Sequence, residues 1–281
     1  MNRRRPLSAL SLTAAILTLT GCAAPQLAAT GAAPPVIEHI HGIAPDPRGE
    51  NYLVATHGGI FTLTSEGAVS GPIGGHDFDA MGFTVHGDVL FASGHPGTQT
   101  PPNLGAPNLG IIRSDDYGES WSPIALNGTT DFHTLTAAPD GTLFGIASDS
   151  VDVLISADNG DTWSTGAALS AADLAATDNG VYAAAEEGLL LSTDNGATFT
   201  PVPDAPLLYT LDAQPDGTLA GIGTDSALWV QQPDGTWESL ERLQGAAQAF
   251  TALAEDRFLV VDDRGIVEIT PDTTTVLAPA R

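Results

Sequence analysis

The feature that most restricts this chain is internal repetition. Three segments align without gaps: SDDYGESW (Ser114–Trp121), SADNGDTW (Ser156–Trp163) and STDNGATF (Ser192–Phe199). A shorter relative, PDGTW (Pro233–Trp237), follows, and the aromatic ends recur after 42, 36 and 38 residues. A second series has the form apolar strand, tight turn, apolar strand. It comprises IAPDPRGENYLVA, FTVHGDVLFA, LTAAPDGTLFGI, LAATDNGVYAA, LDAQPDGTLAGI and LAEDRFLVV. Turns such as Pro-Asp-Gly and Asp-Asn-Gly supply the positive φ that hairpins require. No window carries a sustained helical apolar period. Six hairpins over residues 36–281 give units of about 41 residues, the size of a four-stranded blade. The expectation is an all-β fold, a six-bladed β-propeller of four-stranded antiparallel blades.

The first 35 residues read differently. Arg3, Arg4 and Arg5 make a positive n-region, and the apolar stretch Leu7–Leu19 is too short to span a bilayer as a helix. Leu19-Thr20-Gly21-Cys22 resembles the bacterial lipobox, and Cys22 is the only Cys. We read 1–21 as a lipoprotein signal peptide, 22–35 as a lipidated Cys with an Ala/Pro-rich tether, and 36–281 as the propeller domain. The expectation is an exported protein on the outer face of the cell membrane, with lipid on Cys22 as its membrane partner; an ordinary secretory signal is the alternative. With one Cys there is no internal disulfide, so packing alone must stabilise the domain.

Charge narrows the partners. Thirty-four Asp and Glu face nine Arg and no Lys, for a net charge of −25. Nucleic acid is excluded as a general partner, because binding it needs cationic surface to replace phosphate counterions. The same charge argues against docking on anionic lipid through a basic patch. A surface this negative attracts cations.

Placed on a blade plan, six of the seven His fall on one face of blades one to three. His39, His41, His76 and His133 lie at the start of first strands, and His57 and His95 end second strands. His86 sits in the turn VHGD on the opposite face. Met81, Asp77, Asp79 and Asp131 are nearby, and Asp149, Glu186, Glu187, Asp225, Asp262 and Asp263 form an acidic arc in the remaining blades. Imidazole suits Zn, Cu, Ni and Fe, and a neighbouring thioether tilts the set toward copper. The expected metal set is His39, His41, His57, His76, His95, His133 and Met81, with Cu or Zn as the ion. Each His taken singly reads more simply as a turn cap. A long insertion, Gly97–Gly110, suggests a rim or lid over the cluster.

The S-x-D-x-G-x-[ST]-[WF] segments resemble the Asp-box (BNR) repeat, found in sialidases, sortilin-type receptors and photosystem II assembly factors. The resemblance implies that each box is the hairpin between the third and fourth strands of a blade. Its structural residues would be Ser114, Asp116, Gly118 and Trp121; Ser156, Asp158, Gly160 and Trp163; and Ser192, Asp194, Gly196 and Phe199. HIHG, ATHGG, MGFTV, ASGHPG and DFH together look like exported actinobacterial propellers labelled glycosyl hydrolases, a label that follows from the fold.

That resemblance leaves enzyme activity open. Sialidase chemistry needs an Arg triad, and the Arg positions here cannot assemble one. A two-carboxylate glycosidase could draw on Asp79 and Asp131, or on Glu38 and Glu186. No nucleophile elbow, P-loop or dinucleotide fingerprint is present. Three readings stand: a metal-binding propeller, a protein-binding assembly module, and a glycoside hydrolase. Candidate partners are an envelope protein or a glycan.

Overall fold

The structure is a computed structural model that describes residues 37 and 39–280. The signal-like segment 1–21, Cys22, the tether 22–35 and Glu38 lie outside the described residues. The chain folds as a six-bladed β-propeller of four-stranded antiparallel sheets, each made of consecutive strands. The inner strands of blades 1 to 6 are Ile40–Pro45, Asp79–His86, Phe132–Ala137, Ala171–Thr177, Leu208–Ala213 and Ala249–Ala252. Among the described residues there is no α-helix, only two single 3₁₀ turns, Ile73–Gly75 and Pro102–Leu104.

Six apolar seams hold the ring, one between each pair of neighbouring blades. Leu53 and Ile60 of blade 1 meet Phe78, Leu90 and Ile112 of blade 2. Phe91 and Ile111 meet Phe132 and Leu143 across the next interface. Further seams join Phe144 and Val153 to Leu174 and Val181, Tyr182 and Leu189 to Leu208 and Leu211, and Ile222 and Leu228 to Phe250 and Val260. The last seam packs Val54 and Leu63 of blade 1 on Leu259 and Val261 of blade 6, which closes the circle without strand exchange. At that closure the Arg257 guanidinium also donates to the Tyr52 hydroxyl (2.9 Å). Second strands are buried but for end residues in blades 2 and 4, and Tyr52–Thr56 and Phe258–Asp262 are buried throughout, because a blade is covered on both faces.

The three long repeat segments form one turn, bonded in the same way each time. Gly118, Gly160 and Gly196 donate backbone N–H to the hydroxyls of Ser114, Ser156 and Ser192 (2.7, 2.9 and 2.8 Å). Those hydroxyls donate to Asp116, Asp158 and Asp194, whose carboxylates also accept from the backbone and side chain of Ser120, Thr162 and Thr198. These bonds hold the carboxyl groups below the usual range, and push Asp194 down to about 2. Each terminal aromatic fills the seam toward the preceding blade. Trp121 meets Phe78 edge-on at 5.3 Å between ring centroids, and Trp163 lies 5.0 Å from Phe132. Phe199 and Trp237 join the next two seams.

The insertion Gly97–Gly110 is a packed element rather than a free lid. Leu104 and Leu109 are fully buried in the seam between blades 1 and 2. The Asp77 carboxylate accepts from Thr98, Thr100 and the Gln99 backbone, which ties the loop to the start of blade 2.

Candidate metal centre

Five of the six inner strands begin with the same backbone irregularity. The pairing with the second strand skips His41 in blade 1, Met81 in blade 2, His133 in blade 3, Ala172 in blade 4 and Tyr209 in blade 5. A β-bulge leaves the extra residue unpaired and re-aims its side chain. All five bulged residues line the central cavity of about 570 Å³. Two positions before the bulge stand His39, Asp79 and Asp131 in blades 1, 2 and 3. The second strands add His95, the cross-strand partner of Asp79, and His57 follows the second strand of blade 1. Gly94 (φ 136°) lets His95 come this close, because a Cβ there would collide with the Asp79 carbonyl oxygen.

The result is one unbroken run of imidazoles and carboxylates across three blades. His41 Nε2 and His57 Nδ1 lie 2.6 Å apart, and each approaches Asp79 Oδ1, at 3.3 and 3.2 Å. The other Asp79 oxygen is 3.8 Å from His95 Nδ1. His95 Nε2 is 3.6 Å from Asp131 Oδ2, which His133 Nε2 meets at 2.9 Å. Asp131 is buried, whereas the His57, His95 and His133 side chains are about half exposed at the mouth.

His41, His57 and Asp79 form a group able to hold a metal ion, with one ligand atom from each inside a 4.8 Å span. Two observations fit a cation. A tetrahedral site with bonds of about 2.0–2.1 Å has ligand–ligand edges of roughly 3.3 Å; the two His–Asp edges have that length, while the His41–His57 edge of 2.6 Å is a hydrogen bond that an ion would have to open. Asp79 Oδ1 and Asp131 Oδ1 are also buried without a hydrogen bond; the two nitrogens beside Asp79 Oδ1 lack the geometry to donate to it. A buried carboxylate oxygen left so costs about 1–3 kcal/mol or more, and a bound ion removes that cost. Burial holds the His41 imidazole below its ordinary pKa, against the opposing pull of Asp79 and with help from the neighbouring imidazoles. The neutral ring keeps a lone pair for a metal.

Three expected ligands fall outside this run. His76 Nε2 meets the Glu119 carbonyl in the first repeat turn (3.0 Å), and its ring stands 6.4 Å from Phe78, so it serves the turn and not the cluster. His39 is exposed, with its ring centroid 5.0 Å from that of His57, and is not part of the three-residue group. Met81, a thioether, is not a member of a run of imidazoles and carboxylates; it lines the same cavity from blade 2, between the bulged residues of blades 1 and 3. Much of the acidic arc is already engaged. Asp262 pairs with Arg264 and accepts from the Gln244 backbone, and Asp225 accepts from Ala227 and Trp229. Asp149, Glu186 and Glu187 are exposed. The bulges were absent from the sequence reading, which took the i, i+2 spacing of His39 and His41 as that of a regular strand.

Across the channel two carboxylates latch blades together. Asp173 of blade 4 accepts from the Thr210 hydroxyl and the Leu211 backbone of blade 5 (2.7 and 3.0 Å). Asp212 of blade 5 accepts from Thr251 and Ala252 of blade 6 (2.8 and 2.9 Å). Both face the cavity but lie deep among inner strands. Desolvation there raises both pKa values, that of Asp173 to about 6, against the lowering effect of these bonds. Each of the five Arg among the described residues pairs with a carboxylate: Arg48 with Asp46, Arg113 with Asp115, Arg242 with Asp225, Arg257 with Glu268, and Arg264 with Asp262.

No protein-family profile and no curated protein sequence matches the chain. Solved propellers do match in shape. A gluconolactonase from Xanthomonas campestris shares 14% identity at a TM-score of 0.58, over 80% of this chain and 84% of that one. YCF48 bound to a D1 peptide shares 16% identity at 0.53, over 83% of this chain and 78% of that one. The GH74 xyloglucanase from Xanthomonas campestris shares 15% at 0.56, over 85% of this chain but only 45% of the enzyme. At this identity the likeness is one of fold: the chain is a six-bladed β-propeller built like proteins that act on sugars and lactones and like one that holds a peptide.

Proposed function

We propose that the protein is a metal-binding propeller whose primary ion sits at His41, His57 and Asp79, as a cargo carrier, sensor or assembly aid rather than an enzyme. The convergence of two imidazole nitrogens on one buried, unbonded carboxylate oxygen carries the reading. Two imidazoles and a carboxylate suit Zn(II) or Cu(II). Met81 in the same cavity wall favours copper among these. The test is metal analysis of the full chain purified without a His tag, followed by titration of the stripped protein with Zn(II) and Cu(II). Stoichiometric metal is expected. No retained metal and no measurable affinity would reject the reading. His57→Ala, at an exposed position, should weaken binding at least ten-fold without lowering the stability of the metal-free protein.

The glycoside hydrolase reading is weaker. Asp79 and Asp131 are the candidate acids, yet the His95 imidazole stands between them, where a scissile bond would have to lie. With each described Arg in an ion pair, no free guanidinium faces a sialic acid carboxylate. We also propose that Cys22 is lipidated and tethers the propeller to the outer face of the membrane, where an envelope protein or glycan would be its partner. Conversion of the membrane-bound protein to a released form by Cys22→Ala is the expected result, and unchanged membrane association would reject it.

A further inference from the structure

We propose that Thr56 is a positioning residue of the metal centre: its buried hydroxyl aims the His57 imidazole through the backbone of the turn that carries it. This rests on the reading of His41, His57 and Asp79 as the ion's position.

The His57 side chain is about half exposed, so packing holds it weakly and the backbone must aim it. His57 and Gly58 form the two-residue turn between the second strand of blade 1, Tyr52–Thr56, and the third, Gly59–Leu63. Both peptide groups that flank His57 are bonded. Its own N–H donates to the His39 carbonyl (3.3 Å). The Gly58 N–H, in the peptide plane that follows His57, donates to the Thr56 hydroxyl (3.0 Å). That hydroxyl donates in turn to the Gly59 carbonyl (2.8 Å), so one side chain spans the turn. Thr56 is 1% exposed, and in such a dry setting both bonds gain strength. A Thr hydroxyl bonded to the backbone two residues on fixes the local course of the chain. The atom fixed here is His57 Nδ1, 2.6 Å from His41 Nε2 and 3.2 Å from Asp79 Oδ1.

Matching turns in two other blades separate this role from folding. In blade 4, Glu186 and Glu187 join Gly180–Ala185 to Gly188–Ser192. In blade 6, Asp263 and Arg264 join Phe258–Asp262 to Gly265–Ile269. The register is the same in all three, and each turn ends on a Gly of positive φ, 107° at Gly59, 127° at Gly188 and 110° at Gly265. Ala185 stands in blade 4 where Thr56 stands in blade 1, so the turn forms without a hydroxyl at that place. Asp262 of blade 6 does bond its turn, but it is also paired with the Arg264 guanidinium. Blade 1 alone of the three has an imidazole at the first turn position, and there the hydroxyl adds a constraint that folding does not require. Partners outside the ligand set orient metal ligands in this way.

The experiment has a metal-free arm and a metal arm, both on the full chain stripped with chelator. Imidazole nitrogen NMR reads the His41–His57 hydrogen bond without metal, and titration with Zn(II) reads the affinity. Thr56→Val keeps the shape and removes the hydroxyl. It should lose the NMR signature of that bond and bind Zn(II) about ten-fold more weakly, the scale seen when a ligand's outer partner is removed. Thr56→Ser should restore both. If Thr56→Val fails to fold, Thr56→Ala, with the residue that blade 4 uses, carries the result. In a His57→Ala background Thr56→Val should have no further effect on affinity, because the hydroxyl acts through His57. An imidazole spectrum unchanged in Thr56→Val overturns the proposal. So does an unchanged affinity, a loss that Thr56→Ser does not restore, or an equal further loss in the His57→Ala background. A wild type that takes up no Zn(II) removes the metal reading instead, and the metal-free spectra still decide whether Thr56 aims His57.

Discussion

At the scale of single residues, environment decides what a carboxylate does here. The repeat-turn acids are exposed and saturated with donors, so they stay charged and structural. Asp173 carries the same group in a desolvated channel, where it titrates near 6 instead of 3.8. The folded state therefore holds a proton that the unfolded chain has lost between about pH 4 and pH 6, and stability falls as pH rises through that window. Urea unfolding in chelator at pH 4.5 and 6.5 should show this fall, and Asp173→Asn should flatten it, with a residue left by Asp212. An unchanged slope in Asp173→Asn would remove the effect. Exposed acids with lowered pKa values, such as Asp194, act in the opposite sense and only at lower pH, as their stabilisation is lost near 2. Which His converge was only half legible in the sequence. His41, His57, His95 and His133 come together as the blade plan implies, but His76 turns to the Glu119 carbonyl, a backbone partner that no side-chain pattern reveals.

At the scale of elements, the repeat was legible because it solves one problem four times: it caps a hairpin and wedges an aromatic into the seam behind it. Trp163→Ala should cost about 3 kcal/mol, as large-to-small core changes do, and leave metal stoichiometry unchanged; denaturant titration and metal counting together check this. The bulges were illegible because a bulge is a property of pairing between two strands, and one strand's residues do not record it. The insertion was misjudged for a related reason. Its Pro, Gly and Asn content reads as a loose loop, but Leu104 and Leu109, spaced within it, are core residues. Leu109→Ala is expected to destabilise the whole propeller by about 2–5 kcal/mol. A surface lid would show less than about 0.5 kcal/mol.

At the scale of the whole molecule, closure depends on the seam between the first and last blades, where no strand crosses over. Metal binding adds a second tie, since the proposed position at His41, His57 and Asp79 spans blades 1 and 2. Zn(II) at 100 times its dissociation constant should stabilise the fold by about 2.7 kcal/mol. The check is a rise in melting temperature that EDTA reverses and that disappears in the His41→Ala/His57→Ala double variant.

One kink in the backbone, repeated in five of the six blades, points a single side chain from each at the same opening, so the opening is addressable like the hours of a dial. Three of the five hours hold His, Met and His; a fourth, Ala172, holds only a methyl group. Evolution or design could therefore change what the opening grips by rewriting one letter in each of blades 1 to 4, while Tyr209 of blade 5 also packs on a seam. Ala172→His is the simplest such edit, and an altered preference among Zn(II), Cu(II) and Ni(II) at unchanged melting temperature is its expected signature.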